Sequence, residues 1–360
     1  MAPVRVFITG VTGYIGSTAT DLLLNKVGSD SEFSIRALVR SPEKANSLHP
    51  LGIKSVLGSL DDLDLLKDEA AQADVVLSFA DADHLSSVQA ILKGLLQQPR
   101  PEGGRKRPIL IHTSGTGVLL DAAYGAFSSE TIYYDNDVQQ LNSLGPDQPH
   151  RVVDLEIINP DLIGKVDTYI VAPPTIWGFG TGPGNHNSVQ IPRQVATSLK
   201  HQQAMQIGQG LNYWSKVHVI DLAHFYVSLL ERALQEPQQD EDKERLLKEN
   251  PNWIPLPKND DAYYFVQEGE DFKYGDVAQE IAKVFQRMKI NDSGAVNATT
   301  PEEESTYWPE GSGWLLGGNS RSRAVKAREL LAWEPKYRDF GAYIAEEVHR
   351  QHRLLKERAQ

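Results

Sequence analysis

The sequence predicts an α/β fold, a doubly wound parallel sheet with a smaller C-terminal substrate-binding region. Three observations carry that prediction. Short apolar runs recur through the first 172 residues, each followed by a segment with helical spacing. The first run ends in Gly10-x-x-Gly13-x-x-Gly16. After Pro173 the alternation gives way to the glycine-rich, aperiodic stretch "WGFGTGPGNHN".

The elements follow in order. Val4 to Thr9 reads as a buried parallel strand, and Ile15 to Val27 carries apolar residues at helical spacing. Phe33 to Val39 is a second strand. Ser41-Pro42-Glu43 then opens a helix with a cap residue, a proline at its first position and an acid in its first turn. Lys54 to Leu57 is a third strand, Asp61 and Asp62 start another helix, and Val75 to Ala80 and Ile109 to Thr113 are the fourth and fifth strands. Gln98 to Arg107 is an exposed connection, and Thr168 to Ala172 is a sixth strand. Further on, a helix reaches about Leu234, Gln235 to Asn250 is charged and solvated, and Tyr263 to Val266 is a strand. Helices are expected over Tyr274 to Met288, Arg323 to Leu331 and Gly341 to Lys356. The expected division is 1–172 for a dinucleotide-binding domain and 173–360 mainly for substrate, with about 217–235 packing back on the first.

The chain has 360 residues, of which 40% are hydrophobic, enough for a large core. A net charge of −12 argues against a nucleic-acid partner, which a basic stripe would announce. With no cysteine, disulfides, thiolate catalysis and cysteine metal sites are excluded. No metal is expected. The first apolar run is too short for a signal peptide or a membrane span, so a soluble, cytoplasmic protein is expected.

The glycine pattern has a physical reading. Gly10 permits the tight turn, Gly13 lets the backbone approach a pyrophosphate, and Gly16 lets helix and strand pack closely. The helix N-terminus then offers N–H groups and its positive dipole end to the phosphates. Binders of NAD place an acid at the tip of the second strand. Here the strand ends Leu38-Val39-Arg40, and Arg40 suits the 2′-phosphate of NADP, with NAD still possible.

The residues "TGVTGYIG", "VVLSFADADH", "LIHTSGTG", "VAPPTIWGFG", "VHVIDLAHFYVSLLERAL" and "ARELLAWEPK", in that order, resemble the short-chain dehydrogenase/reductase superfamily, in its extended and atypical epimerase/dehydratase-like branch. The resemblance implies a Rossmann fold, a nicotinamide dinucleotide, a small-molecule substrate and often a homodimer. It places Gly10, Thr12, Gly13, Tyr14, Ile15, Gly16, Arg40, Ala80, Thr113 and Pro173 at the cofactor and Ser114 at the family's active-site serine. The family's Tyr-x-x-x-Lys is absent downstream of Ser114. Matched to the family pattern, His150 falls at the tyrosine and Asp154 at the lysine. The two are spaced i, i+4 and share a helix face, so they are candidates for a replacement acid/base couple. The bland reading leaves His150 at a helix N-terminus and Asp154 capping or facing solvent. His112 is expected to be a satisfied core histidine. Tyr133, Tyr134 and Lys216 are further polar candidates for the pocket, with Trp177, Phe179, Trp214 and Trp314 as candidate apolar walls. Arg193, Lys200, Arg321 and Arg323 are available for a diphosphate. Two functions remain open: an NADP-dependent oxidoreductase or epimerase-like enzyme acting on a small carbonyl or alcohol, and a non-catalytic NADP-binding redox sensor.

Overall fold

The computed structural model describes residues 3–27, 32–97, 99–309 and 311–358; Gln98, at the head of the connection read above, lies outside them. Seven strands form one parallel sheet: β1 (Val4–Thr9), β2 (Phe33–Val39), β3 (Lys54–Leu57), β4 (Val75–Ser78), β5 (Ile109–Thr113), β6 (Asp167–Ala172) and β7 (Tyr263–Phe265). Their spatial order is 7-6-5-4-1-2-3. β4, β5 and β6 are buried at every position, which is why their apolar residues come in runs rather than alternating with polar ones. The chain reverses direction across the sheet between β1 and β4. In an open parallel sheet, that crevice beyond the strand ends is where ligands bind.

Helices flank the sheet. α1 (Tyr14–Val27) packs against α7 (Val219–Leu234), so the segment after residue 217 does return to the first sheet. α2 (Pro42–Leu48) begins as its sequence predicts, with Ser41 Oγ accepting from Lys44 N. α3 (Leu63–Gln72) packs on α4 (Leu85–Leu95), and α5 (Arg151–Ile157) lies beside α4. β7, from the second half of the chain, pairs in parallel with β6 and places Tyr263 opposite Ile170. Asp240–Glu249, within the charged stretch, is a helix whose side chains are mostly exposed.

A second core lies beyond the sheet, built by α6 (Gln190–His201), α8 (Tyr274–Met288) and α9 (Phe340–Arg358) around Trp177, Trp214, Phe272 and Phe285. Trp177 and Trp214 are therefore core residues, and Phe179 and Trp314 pack against the same cluster. Lys216 is also structural rather than a pocket residue. Its Nζ lies 3.0 Å from Glu268 Oε1, and Trp177 Nε1 donates to the other carboxylate oxygen at 2.9 Å. The two charged side chains are 9% and 3% exposed. Lys216→Met leaves the buried Glu268 carboxylate without its ion-pair partner, with Trp177 as its remaining side-chain donor, so a loss of about 3 kcal/mol is expected, read from the midpoint of urea unfolding. No helix among the described residues is long and apolar enough to cross a membrane.

Candidate functional site

The glycine loop forms one wall of a cleft of about 570 Å³ at the strand ends. Gly10, Thr12 and Gly13 face Arg40 and Lys44 across it, with Ser59 to Asp61, Phe79 to Asp81, His84 and Asn185 completing the rim. The loop is built for close approach. Gly10 has φ +76°, and a Cβ there would lie 2.6 Å from Ala80 N. A Cβ on Gly16 would lie 2.3 Å from the Gly10 carbonyl oxygen. Both distances are inside contact with backbone, which cannot move aside. The set fits a dinucleotide on this observation: a cradle free of side chains, followed by a helix N-terminus, with two cations at the far rim. Arg40 and Lys44 make no side-chain hydrogen bond or ion pair among the described residues. Lys44 follows Arg40 by four residues in "RSPEK", so the sequence itself sets the two cations close together.

The glycine-rich stretch after Pro173 turns back over this loop. Tyr14 donates from its hydroxyl to the Gly178 carbonyl at 2.6 Å, and Ser17 to the Thr181 carbonyl at 2.9 Å. Thr181 N donates to Thr18 Oγ1, Gly184 N to Ser17 Oγ, and Asn185 N to the Thr12 carbonyl. Tyr14 is thus held by this strap. Ile15 is half-buried, and neither it nor Gly16 lines the cleft. Thr113 is turned inward: its hydroxyl lies 2.7 Å from Tyr226 Oη in the core. The Pro173 carbonyl accepts from Thr116 N, tying the end of β6 to the loop after β5.

Ser114 stands at the end of β5, and its Oγ donates to Asp154 Oδ2 at 2.9 Å. Asp154 neither caps the helix nor faces solvent; it is fully buried. Burial pushes its carboxyl up to about 6, against the opposing pull of hydrogen bonds from Tyr263 and Ser114. Tyr263, from β7, donates to the same oxygen at 2.7 Å and accepts from Arg151 Nη1 at 2.9 Å.

His150 and Asp154 do not form the couple their spacing suggests. His150 is the cap residue of α5 with φ +64°, a conformation uncommon for a residue with a side chain. Asp83, in the loop after β4, holds it there. Asp83 Oδ1 accepts from the His150 backbone N at 3.1 Å and lies 2.8 Å from ring Nδ1. The opposite ring nitrogen points at the segment after Ser114: a Cβ on Gly115 or Gly117 would lie 3.2 or 3.0 Å from His150 Nε2. Burial pulls the imidazolium down, but the Asp83 hydrogen bond and charge, aided by Asp154 and Asp81, leave it above the ordinary histidine value. Asp83 was missed because it lies 67 residues from its partner and no periodicity links them. Its place in "FADADH", just after the fourth strand, was the only signal.

His112 is a core histidine as expected, but not a satisfied one. Neither ring nitrogen has a hydrogen-bond partner among the described residues, and burial lowers its pKa to about 3, so it stays neutral. Of the basic candidates, Arg321 and Arg323 are both paired with Asp271, while Arg193 and Lys200 form no ion pair among the described residues. Tyr133 and Tyr134 pair with Ser322 and Arg323 in a short parallel bridge. His218 caps α7 by accepting from Ile220 N, and Asp221 accepts from Lys336 N and Tyr337 N, so both serve the strand-to-helix junction. No cluster of metal ligands occurs among the described residues.

No family model matches the chain. Over 344 residues it is 31% identical to Oxidase ucsJ of an Acremonium species, covering 92% of each chain. Among solved structures, the dTDP-glucose 4,6-dehydratase of Bacillus anthracis in complex with NAD matches with a TM-score of 0.63 at 16% identity, over 97% of both chains. The UDP-glucose 4-epimerase of Thermotoga maritima with UDP-glucose matches with a TM-score of 0.63 at 13% identity, over 98% of this chain and 100% of its own. At those identities the structural matches speak for the fold.

Proposed function

Since the chain belongs to the Rossmann-fold NAD(P)-dependent epimerase/dehydratase-like enzymes of the short-chain dehydrogenase/reductase superfamily, we propose that it is an NADP-dependent oxidoreductase that interconverts a hydroxyl and a carbonyl group. The observation that carries the reading is the presentation of His150 Nε2 beside the Ser114 loop by Asp83. Bound in the cleft, the nicotinamide would supply or take the hydride. Ser114 would hold the substrate oxygen. His150 would exchange the proton on that oxygen, with the Asp83 carboxylate stabilising the imidazolium. This pair does the work that tyrosine and lysine do elsewhere in the superfamily, and it favours an enzyme over a redox sensor. The test is a panel of small aldehydes, ketones and alcohols with NADPH or NADP. Substrate-dependent change in NADPH absorbance supports the reading; tight binding with no turnover across the panel leaves the sensor.

Arg40 and Lys44 support NADP over NAD. Arg40→Asp should weaken NADP by about 10- to 100-fold, as loss of a charge-assisted contact implies, and shift preference toward NAD. Equal affinities for both dinucleotides before and after the change would remove the assignment. A second reading, a nucleotide-sugar substrate, is favoured by the dehydratase and epimerase likenesses. Arg321 and Arg323 are committed to Asp271, so a diphosphate would fall to Arg193 and Lys200. Adding dTDP-glucose and UDP-glucose to the panel separates the two readings.

A further inference from the structure

Four side chains behind the reaction centre form a hydrogen-bonded chain whose direction is fixed at one end. Arg151 is 2% exposed, and a guanidinium has only protons to offer. Its Nη1 donates to Tyr263 Oη at 2.9 Å, so the tyrosine oxygen accepts there. The tyrosine's own proton then goes to its other partner, Asp154 Oδ2, at 2.7 Å. Ser114 Oγ reaches the same oxygen at 2.9 Å. An ionised carboxylate only accepts, so the single proton of Ser114 is committed to Asp154 as well. Ser114 Oγ has no other hydrogen bond among the described residues, which leaves its lone pairs for a ligand.

We propose that Asp154 sets the polarity of Ser114, so that the serine at the reaction centre accepts a hydrogen bond and the site takes the hydroxyl form of its substrate. This rests on the reading of Ser114 as the group that holds the substrate oxygen. On binding, a hydroxyl can donate its one proton to Ser114 Oγ, and rotation about the C–O bond then turns that proton to the neutral His150 for transfer. A carbonyl offers only lone pairs and meets another lone pair there. Protonation of Asp154 at Oδ2 reverses the preference, because that oxygen can then donate to Ser114 and free the serine proton for a carbonyl.

The groups facing Asp154 set that balance. Arg151 and His150 on its own helix favour the ionised form, as do the two hydroxyl donors, Ser114 from β5 and Tyr263 from β7. Burial opposes all four. His112, also on β5, stays neutral and contributes no charge. With the carboxyl placed at about 6, the ionised form prevails at neutral pH and the acid form a little below it. Asp154, Tyr263 and Arg151 are thus positioning residues that act through Ser114.

The test needs neither cofactor nor substrate. Protein labelled with carbon-13 at its aspartates is titrated by infrared difference spectroscopy, and the Asp154 carboxyl band is assigned by its loss in Asp154→Asn. In the unmodified protein the band should titrate near 6. Ser114→Ala removes a donor to the charged form and should raise the proton affinity of Asp154 by about tenfold. Tyr263→Phe should act in the same direction, and Ser114→Thr, which keeps the hydroxyl, should restore the original titration. A titration unmoved by Ser114→Ala means the serine proton points elsewhere and overturns the proposal. This outcome is independent of the carbonyl panel, so the polarity of Ser114 and the proposed activity fail separately. For any alcohol that turns over, KM should rise as pH falls through the Asp154 titration, and that dependence should vanish in Asp154→Asn while the kcat limb due to His150 remains. A KM for the alcohol that does not change across that range also overturns the proposal.

Discussion

His150→Phe should lower kcat by about 10²- to 10⁴-fold, the usual worth of a positioned acid/base group, and leave NADPH affinity unchanged. Phenylalanine keeps the ring and its packing against Gly115 and Gly117 but has no nitrogen to give or take a proton. The cleft that would hold the dinucleotide is lined by Gly10, Arg40 and Ala80 and does not include His150, so binding and turnover should separate. Kd from quenching of protein fluorescence and kcat from NADPH absorbance make the measurement. Asp83→Asn sharpens it. The amide oxygen can still accept from the His150 backbone and ring, so the geometry survives while the charge is lost. Asp83 raises the proton affinity of His150, and a reduction that needs the imidazolium should therefore lose rate at lower pH in the variant. For oxidation, which needs the neutral ring, the rate should rise at lower pH. Full turnover in His150→Phe would move the proton to another group and sink the assignment.

The parts of this site that the sequence displays are those set by local chemistry. β4, β5 and β6 are legible because strands buried on both faces carry their apolar residues in runs, whereas β2 and β3, with Arg36, Lys54 and Leu57 exposed, are legible from their place between helical segments and turn signals. Tyr263–Phe265 is also legible as a strand, but its pairing with β6 is not, because nothing local says which edge a late strand joins. The glycine cradle and Arg40 sit within one turn of their strands, so spacing finds them. The His150–Asp83 and Asp154–Tyr263 pairs join residues 67 and 109 positions apart and arise only when α5 packs beside α4 and β7 joins the sheet. Helical spacing even misleads here. It places His150 and Asp154 on one face, whereas the left-handed backbone at His150 and the Asp83 carboxylate turn the imidazole to a different partner. Thr113 shows the same limit: the resemblance places it at the cofactor, but successive strand residues face opposite ways, and its hydroxyl meets Tyr226.

Gly13→Ala and Gly16→Ala should fail for different reasons, and the difference tests whether the loop is a cofactor cradle or only a tight turn. A methyl group on Gly16 would sit 2.3 Å from the Gly10 carbonyl oxygen and 3.1 Å from the Phe79 Cβ, with no solvent side to turn toward. The expected cost is about 1–3 kcal/mol of stability, the range for an overfilled site, seen as a lower urea midpoint. A methyl group on Gly13 meets only the Gly10 carbonyl oxygen, at 3.1 Å, so a shift of a few tenths of an ångström accommodates it. Gly13 lines the cleft, however, and Gly16 does not. Stability should therefore survive Gly13→Ala while NADPH affinity falls at least about tenfold, a loss of some 1.4 kcal/mol in binding. A dinucleotide held through close backbone approach requires that split. If Gly13→Ala binds NADPH as the unmodified protein does, the phosphates do not pass over this residue and the cleft holds its ligand in another way.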